Sequence, residues 1–374
     1  MERMMSTAPE MYDFCKSERT FNPSDRDFCT IMQEVEEDLL RVVHGDPEEY
    51  AAIPFCGSSA VCIDACVSSL VPEQGRILIL NNGSSAARAA EAARNYHIDY
   101  SELRMPLDRP LDTGALELAL QRDPRISAVY CCMHETDTGV LNPVKEIGSI
   151  AHRYNKVMIA DVSSAFAILP IDVNEDCLDF LIGSAREGLA SCTGLAFVLG
   201  KKDLLELSKD CPARSGCCNL YQQYQAVQDL GKLGSLLPVQ TVRDTWQGLQ
   251  DYFLEGEFAR WLRYRAKWDT LCRGLIRMGF QMAVPLVYQS HLVVSVLCPN
   301  NPRFSLPLLQ EMLKARGYTI YSGSSPDSSV FRLSSLGEGC FNDAEGLSRA
   351  LEESLEAMGV RLTGTSAENA VMGA

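Results

Sequence analysis

Short apolar runs alternate with segments of helical periodicity over much of the first half of the chain. Five of these runs are rich in β-branched or other apolar residues and are typical of buried strands: 76–82, 126–133, 156–162, 179–185 and 194–200. Between the earlier runs, segments 84–96 and 144–155 have the spacing of amphipathic helices. Strands and helices in alternation predict a mostly parallel sheet with helices on both faces.

The second half of the chain predicts a long helix followed by a smaller α/β unit. In segment 255–280 five large apolar residues recur at helical spacing: Phe258, Leu262, Trp268, Leu271 and Leu275. The predicted organisation has four parts: an N-terminal arm at 1–20, a large α/β domain at 21–250, a small α/β domain with its connecting helix at 251–362, and a flexible tail at 363–374.

The charge and hydropathy of the chain argue against nucleic acids and membranes as its partners. The chain has 34 Lys and Arg against 49 Asp and Glu, a formal charge of −15, with no basic run. On average such a surface repels nucleic acid. No stretch has the length of a membrane span and the first residues contain no apolar leader core. We therefore expect a cytoplasmic protein that acts on a small molecule and binds neither nucleic acid nor membrane.

The fifteen cysteines and five histidines do not predict a metal centre. The sequence contains no Cys-x-x-Cys pair and no histidine pair at helical spacing. Several cysteines lie in apolar runs, among them Cys62, Cys66, Cys131 and Cys132, where a thiol packs as a small hydrophobe. This pattern indicates a reducing compartment and no bound metal.

Polar residues follow the predicted strands, where α/β sheets of this type bind their ligands. The positions of interest lie at the ends of different runs: Ser58, Ser59, His134, Glu135, Thr138, Asp161, Ser164, Ser184 and Glu187. Position alone identifies a candidate site but not its ligand.

Several stretches, in order, resemble the class V aminotransferases of fold type I, and among them the 2-aminoethylphosphonate:pyruvate transaminases. The first is "HETDTGVLNPVKEIGSIAHRYN", and the others are "ADVSSAFAILPIDV", "LDFLIGSA", "GLAFVLGKKDLL", "EGEFARWLRYR", "YTIYSG" and "FRLSSLG". The resemblance spans about residues 50–355. It implies the fold type I architecture, with a large, mostly parallel sheet between helices and a smaller C-terminal α/β domain, and it implies a homodimer.

The resemblance implies that Asp161 matches the aspartate that pairs with the ring nitrogen of pyridoxal phosphate (PLP). An aspartate at a strand end can also cap the next turn. In the family the Schiff-base lysine follows 26 positions later, and here 187 − 161 = 26 gives Glu187. A carboxylate cannot form an imine. Glu187 is either a general base whose pKa burial has raised or a solvated glutamate beside Arg186.

Further family positions also differ. The phosphate loop G-S-G-T becomes Gly57-Ser58-Ser59-Ala60, and Ser85 or Ala86 replaces an aromatic that stacks on the cofactor. Leu236 and Val239 stand where a T-P-P-T segment has threonines. These changes predict that PLP or pyridoxamine phosphate (PMP) binds non-covalently or not at all.

Roles for the remaining residues follow from the resemblance and from their positions at strand ends. Glu187, Asp161 and His134 are the candidate catalytic residues, and the candidate cofactor contacts are Ser58, Ser59, Thr138, Asp161 and Ser184. The candidate substrate contacts are Arg332, Glu135 and Ser164. For Arg332 a salt bridge within the small domain is an equal alternative to a substrate carboxylate.

Three functions remain open. The first is a repurposed enzyme acting on a small amino-acid-like, oxo-acid or phosphonate metabolite. The second is an ordinary PLP-dependent transaminase that uses another lysine. The third is a non-catalytic homologue that serves as a dimer partner or scaffold.

Overall fold

A computed structural model of the chain describes residues 26–227, 237–323, 329–336 and 343–362. The predicted arm at 1–20, the predicted tail at 363–374 and Leu236 lie outside these ranges. The described α-helices are α1 Arg26–Val42, α2 Ser59–Leu70, α3 Ser84–Asn95, α4 Thr113–Arg122, α5 Val144–Arg153, α6 Lys202–Leu207, α7 Leu220–Val227, α8 Val239–Glu255, α9 Glu257–Met278, α10 Leu306–Lys314 and α11 Ala344–Ala357.

The strands form two sheets. Those of the large sheet are β1 Tyr50–Cys56, β2 Arg76–Asn81, β3 Tyr100–Arg104, β4 Ile126–Cys132, β5 Val157–Asp161, β6 Phe180–Ser184 and β7 Leu195–Lys201. Those of the small sheet are β8 Val293–Leu297, β9 Tyr321–Ser322 and β10 Val330–Ser334. The five strands predicted from apolar runs thus appear as β2, β4, β5, β6 and β7, each bounded within a residue or two of its predicted run.

The large sheet has the order β1-β7-β6-β5-β4-β2-β3. The pairs from β3 to β6 are parallel, while β7 is antiparallel to both of its neighbours. The carboxyl ends of β1, β2, β4, β5 and β6 therefore meet at one edge of the sheet, and β7 ends at the opposite edge. The predicted α/β architecture with a mostly parallel sheet is confirmed.

The small sheet has the order β8-β10-β9, with antiparallel pairing throughout. Helix α9 links the two sheets and ends at Gly279, whose φ of 91° suits a glycine after a helix. Trp268, Leu271 and Leu275 on α9 are buried in a core beneath the small sheet, separate from the larger core around the main sheet.

The apolar periodicity of α9 does not predict which residues are buried in its first turns. Phe258 and Leu262 share the helical spacing of the buried residues, yet 68% of Phe258 and 43% of Leu262 are exposed. A helical apolar stripe indicates which face is apolar, but what covers it depends on the rest of the fold. None of the helices in the described ranges has the length and apolar character needed to cross a membrane.

Candidate active site

Residues at the carboxyl edge of the large sheet enclose a cavity of about 250 Å³, which we call the polar chamber. Its polar lining comes from the ends of five strands and the starts of two helices: Ser58, Ser59, Ser84, Ser85, Arg88, His134, Glu135, Thr136, Asp161, Ser163, Ser164, Ser184, Arg186 and Glu187. Most of the side chains predicted from strand ends are brought together here.

Asp161, the last residue of β5, is buried and fully engaged. Its Oδ2 accepts hydrogen bonds from the Ser85 hydroxyl and, at 3.2 Å, from the hydroxyl of Tyr130. Its Oδ1 accepts the backbone N–H of Ser163 at 3.0 Å. Three donors on one carboxylate hold it in place and stabilise its charge inside the protein.

His134, just past β4, presents an unpaired ring nitrogen. Its Nδ1 lies 3.0 Å from Ser164 Oγ, whose hydroxyl also lies 3.1 Å from the His134 carbonyl oxygen. When the Ser164 hydroxyl donates to that carbonyl, Nδ1 carries the ring proton and Nε2 is left as an acceptor. No described residue bonds the buried Nε2. Burial lowers the pKa of His134 to about 4, so the ring is neutral near pH 7.

Glu135 is the second buried carboxyl of the polar chamber and is 1% exposed. It packs directly against Gly83, where any side chain would occupy the position of the carboxylate, and the backbone of Ser84 donates to it. Its Oε1 is buried and has no partner among the described residues. Burial, with repulsion from Asp161 and Asp137, raises its pKa to about 7.

Glu187 lies in the connection between β6 and β7, with 28% of its side chain exposed. Burial raises the pKa of its carboxyl, and the nearby positive charge of Arg186 opposes this rise. The two side chains are 3.9 Å apart at their closest polar atoms. Glu187 is therefore a partly desolvated carboxyl facing the chamber, which agrees better with the general-base interpretation than with a fully solvated loop glutamate.

The connection that carries Glu187 is anchored on both sides. Arg260 on α9 is buried and donates from Nη1 to the carbonyl oxygen of Gly188 at 2.6 Å, while its Nε bonds Glu255 at 2.6 Å. Gly188 also lies against the carbonyl of Phe166, too close for a side chain. These contacts fix the backbone beside Glu187 and hence the approach of its carboxylate.

Helix α2 points its N-terminus into the chamber. Ser58 is the N-cap residue in an extended conformation, and its side chain makes no capping hydrogen bond within the described part of the chain. The first amides of α2 and the hydroxyls of Ser58 and Ser59 are thus positioned to bind an anion. Ser184 Oγ, by contrast, accepts the backbone N–H of Arg186 at 3.3 Å.

Two predicted site residues lie outside the polar chamber. Thr138 lines a neighbouring cavity instead. Arg332 on β10 makes three contacts: Nη1 bonds Asp137 at 2.5 Å and the Thr136 carbonyl at 3.0 Å, both in the loop after β4, and Nη2 bonds the Ser322 carbonyl of β9 at 3.2 Å. The expected salt bridge within the small domain is thus wrong in its partner, because the bridge joins the small sheet to the loop after β4 of the large sheet.

The lysines of the described ranges lie elsewhere. None lines the polar chamber. Lys201 and Lys202 follow the antiparallel strand β7 to the opposite edge of the sheet, where Lys201 pairs with Asp179 at 2.9 Å and Lys202 bonds the Pro47 carbonyl at 2.6 Å. In these contacts neither amine faces the site.

The chamber fits a covalently bound PLP poorly. The α2 N-terminus suits a phosphate group. Asp161, which the resemblance implies as the partner of the ring nitrogen, has its Oδ2 occupied by Ser85 and Tyr130, and the resemblance places Ser85 or Ala86 where the family has an aromatic. No amine for an imine lines the chamber in the described ranges. The residues present fit an anion and a proton transfer, and they do not fit the aldehyde end of the cofactor.

Buried thiols surround the chamber without forming a metal site. Burial raises the pKa values of the Cys62, Cys66, Cys131 and Cys132 thiols, which keeps them protonated. The residues described contain no group of His, Cys, Asp and Glu that is arranged to hold a metal ion.

Sequence reasoning missed Tyr130 and Arg260. Tyr130 is a fully buried hydroxyl-bearing residue in the apolar run of β4, and such a buried hydroxyl requires a partner. Arg260 is a charged residue on the inward side of α9, where a buried guanidinium needs several acceptors. In both cases the signal was a polar group at a core position.

Comparisons with known proteins agree with this architecture. A family model described as "Aminotransferase class-V" matches residues 13–226. The 2-aminoethylphosphonate–pyruvate transaminase of Cupriavidus taiwanensis is 30% identical over 354 residues, which cover 94% of this chain and 93% of that protein.

Solved structures share the fold at lower identity. Ureidoglycine–glyoxylate aminotransferase from Bacillus subtilis superposes with a TM-score of 0.86 at 20% identity, covering 98% of this chain and 94% of that one. Pyridoxamine–pyruvate aminotransferase from Mesorhizobium loti gives 0.84 at 18% identity, with 95% and 91% covered.

Proposed function

Because this chain belongs to the class V aminotransferase family, we propose that it is an enzyme that acts on a small anionic metabolite without a Schiff-base lysine. The metabolite is an amino acid, an oxo acid or a phosphonate. The observation that carries the proposal is Glu187: it stands where the resemblance puts the lysine, and no lysine lines the polar chamber in the described ranges.

Proton transfer is the chemistry that this set of side chains supports best. Glu187 and Glu135 both have raised pKa values because burial disfavours their charged forms. A carboxyl whose pKa is raised above its ordinary value holds a proton more readily and can return it, which suits a general acid or base. We assign the base to Glu187, whose side chain is the more accessible, and the proton reservoir to Glu135. Neutral His134 offers Nε2 as a hydrogen-bond acceptor.

The anionic group of the metabolite is proposed to bind at the N-terminus of α2. Ser58 and Ser59 provide hydroxyls and amides there, and Arg88 and Arg186 line the same chamber with positive charge. Asp161 is held in place by three donors and lines the same chamber, where it is proposed to face a cationic amine of the ligand.

PLP or PMP enters this proposal as a non-covalent ligand, bound through its phosphate group at Ser58 and Ser59. The protein is further proposed to be a homodimer, as the family resemblance implies, which analytical ultracentrifugation tests.

The ultraviolet–visible spectrum tests the proposal directly. The purified protein is titrated with PLP and then with PMP, and each sample is reduced with borohydride. We expect either a saturable shift that reduction does not attach to the protein, or no shift. A band that borohydride fixes to a lysine would overturn the lysine-free site.

The second candidate is an ordinary 2-aminoethylphosphonate-type transaminase, favoured by the 30% identity to a protein of that name over 94% of the chain. Peptide mapping of the borohydride-reduced protein separates the two candidates. Pyridoxyl label on any lysine, together with amino transfer from 2-aminoethylphosphonate to pyruvate, supports the transaminase.

A further inference from the structure

A second cavity of about 420 Å³ adjoins the polar chamber, and we call it the apolar pocket. It lies between the start of α3, the loop after β4 and the face of the small sheet. Its apolar lining is Ala87, Leu107, Ala283, Val284, Leu297 and Val330. A cavity of this size and composition is typical of a small-molecule site.

The two cavities adjoin at Ser84, which lines both. The partition beside it consists of Gly83, which lines the apolar pocket, and Glu135, which lines the polar chamber and packs against Gly83. A molecule that extends from one cavity into the other therefore passes over Ser84 and next to the unpaired Oε1 of Glu135.

One polar side chain in the apolar pocket lacks a partner. Ser295 on β8 is 1% exposed and lines the pocket, and no described residue bonds its hydroxyl. An unpaired buried hydroxyl costs stability, so its position favours a ligand that carries one hydrogen-bonding group on an otherwise apolar body.

The charges around the pocket disfavour a second anionic group. Asp137 lines the pocket and is paired with Arg332, which therefore presents its guanidinium to a carboxylate of the protein. Asp108 also lines it, and in the described ranges no lysine or arginine does. An anion entering this pocket would lose its hydration without gaining a cation.

We propose that the substrate is amphiphilic, with its anionic group in the polar chamber and an uncharged hydrocarbon or aryl group of several carbons in the apolar pocket. This inference rests on the proposed function for its anionic end. The proposed substrates are larger molecules than a two-carbon phosphonate. Their selection would depend on Ala87, Leu107 and Ser295, which line the apolar pocket.

Calorimetric titration of the full chain with methyl-, butyl- and hexylphosphonate, and separately with 1-hexanol, tests the inference. Each methylene buried in the pocket should lower Kd about fourfold. Ala87→Trp, on an exposed position of α3, should abolish the dependence on chain length and leave the Kd of methylphosphonate unchanged. Glu91→Trp, one turn further along the same helix and outside both cavities, is the matched control.

The outcomes separate the two proposals. Methylphosphonate binding with no gain from longer chains, and no hexanol binding, overturns the apolar pocket and leaves the proposed function intact. Hexanol binding that Ala87→Trp removes, with no binding of any phosphonate, supports the apolar pocket and overturns the proposed anion site. Leu107→Asp is a second variant at a 53% exposed position, and loss of hexyl but not methyl binding is expected there as well.

Discussion

The two sides of the polar chamber differ in how their polar groups are bonded. On one side, which we call the bonded side, the Asp161 carboxylate receives hydroxyl donors from Ser85 and Tyr130 and an amide from Ser163. The other side, which we call the open side, carries Glu135, His134 and Glu187. There Glu135 and His134 each keep one buried polar atom without a partner in the described ranges. Bonded groups contribute stability, whereas unpaired ones cost it and are retained where a ligand can supply the partner.

The difference shows that the side chains of this site fall into two groups: some stabilise the fold and others are available for chemistry. The family resemblance alone does not distinguish the two groups. The resemblance implies that Asp161 keeps a family position, yet its contacts make it part of the protein's internal framework. Glu187 is proposed to stand in place of the family's lysine, and its partly desolvated carboxyl is the group that we propose reacts.

The largest effect is expected when an amine is restored on the open side, which tests the contrast between the two sides most directly. Glu187→Lys should create a band with PLP that borohydride fixes to the introduced amine, whereas the unchanged protein should show none. Arg186→Lys, which places an amine one residue earlier on a side chain 65% exposed, is the matched control. Equal labelling of both variants, or labelling of neither, would show that position 187 does not correspond to the family's lysine.

Removing a carboxylate from each side should give opposite results for folding. Asp161→Ala removes the acceptor shared by the Ser85 and Tyr130 hydroxyls, which keep only their mutual contact at 2.9 Å, and it leaves the Ser163 amide unpaired. We therefore expect a loss of about 2–4 kcal/mol in the free energy of unfolding. Glu187→Ala should change the free energy of unfolding by less than about 1 kcal/mol, since this partly exposed carboxyl has only a 3.9 Å contact with Arg186 and a bond to its own backbone. Urea denaturation of both variants measures the difference. Similar losses would remove the distinction between the two sides.

The pH dependence of the free energy of unfolding should reveal the raised pKa of Glu135 on the open side. Folding raises the pKa of Glu135 from 4.5 to about 7, so between these values the folded state binds more protons than the unfolded state. The stabilising effect of protonation is therefore present at low pH and is lost as pH rises towards the folded pKa, by up to roughly 3 kcal/mol. Unfolding measured at about pH 5 and about pH 7 should show a smaller decrease in Glu135→Gln. An unchanged slope in the variant would contradict the assignment.

The smallest expected effect comes from a single hydroxyl on the bonded side. Tyr130→Phe removes one donor from Asp161 and should cost about 1 kcal/mol while weakening methylphosphonate or PMP binding only slightly. Tyr50→Phe is the control, because this equally buried tyrosine bonds the Leu178 carbonyl at 2.9 Å, outside the chamber. A large loss of binding in Tyr130→Phe alone would show that the Tyr130 hydroxyl itself contributes to the ligand site.

The positions of the strands could be predicted well from the sequence, because buried strands are apolar runs with polar residues at their ends. It does not reveal strand direction: the run that forms β7 reads the same whether parallel or antiparallel, and the reversal sends Lys201 to the far edge of the sheet. Amphipathic spacing likewise predicts α9 but not that Phe258 and Leu262 are exposed.

The sequence predicts which strand ends form the site. It predicts much less well which hydrogen bonds and ion pairs the site residues make. Grouping His134, Glu135, Asp161 and Glu187 follows from the parallel order of the strands. The contact of Arg332 with Asp137 joins positions 195 residues apart, and the clamp of Arg260 on Gly188 joins positions 72 apart. Such pairs depend on how the two sheets and α9 pack, which local sequence patterns do not encode.

The reversal at β7 has a further consequence for how this protein can change. Because β6 and β7 are hydrogen-bonded neighbours, the connection 185–194 starts and ends on adjacent strands and contains no crossover helix. Gly188 and Leu189 in this connection are packed against Phe166 and Gly248, whereas the side chain at position 187 is 28% exposed. The group at position 187 can therefore be exchanged while its packed neighbours and the sheet keep their positions, so the same scaffold can present different reactive side chains there.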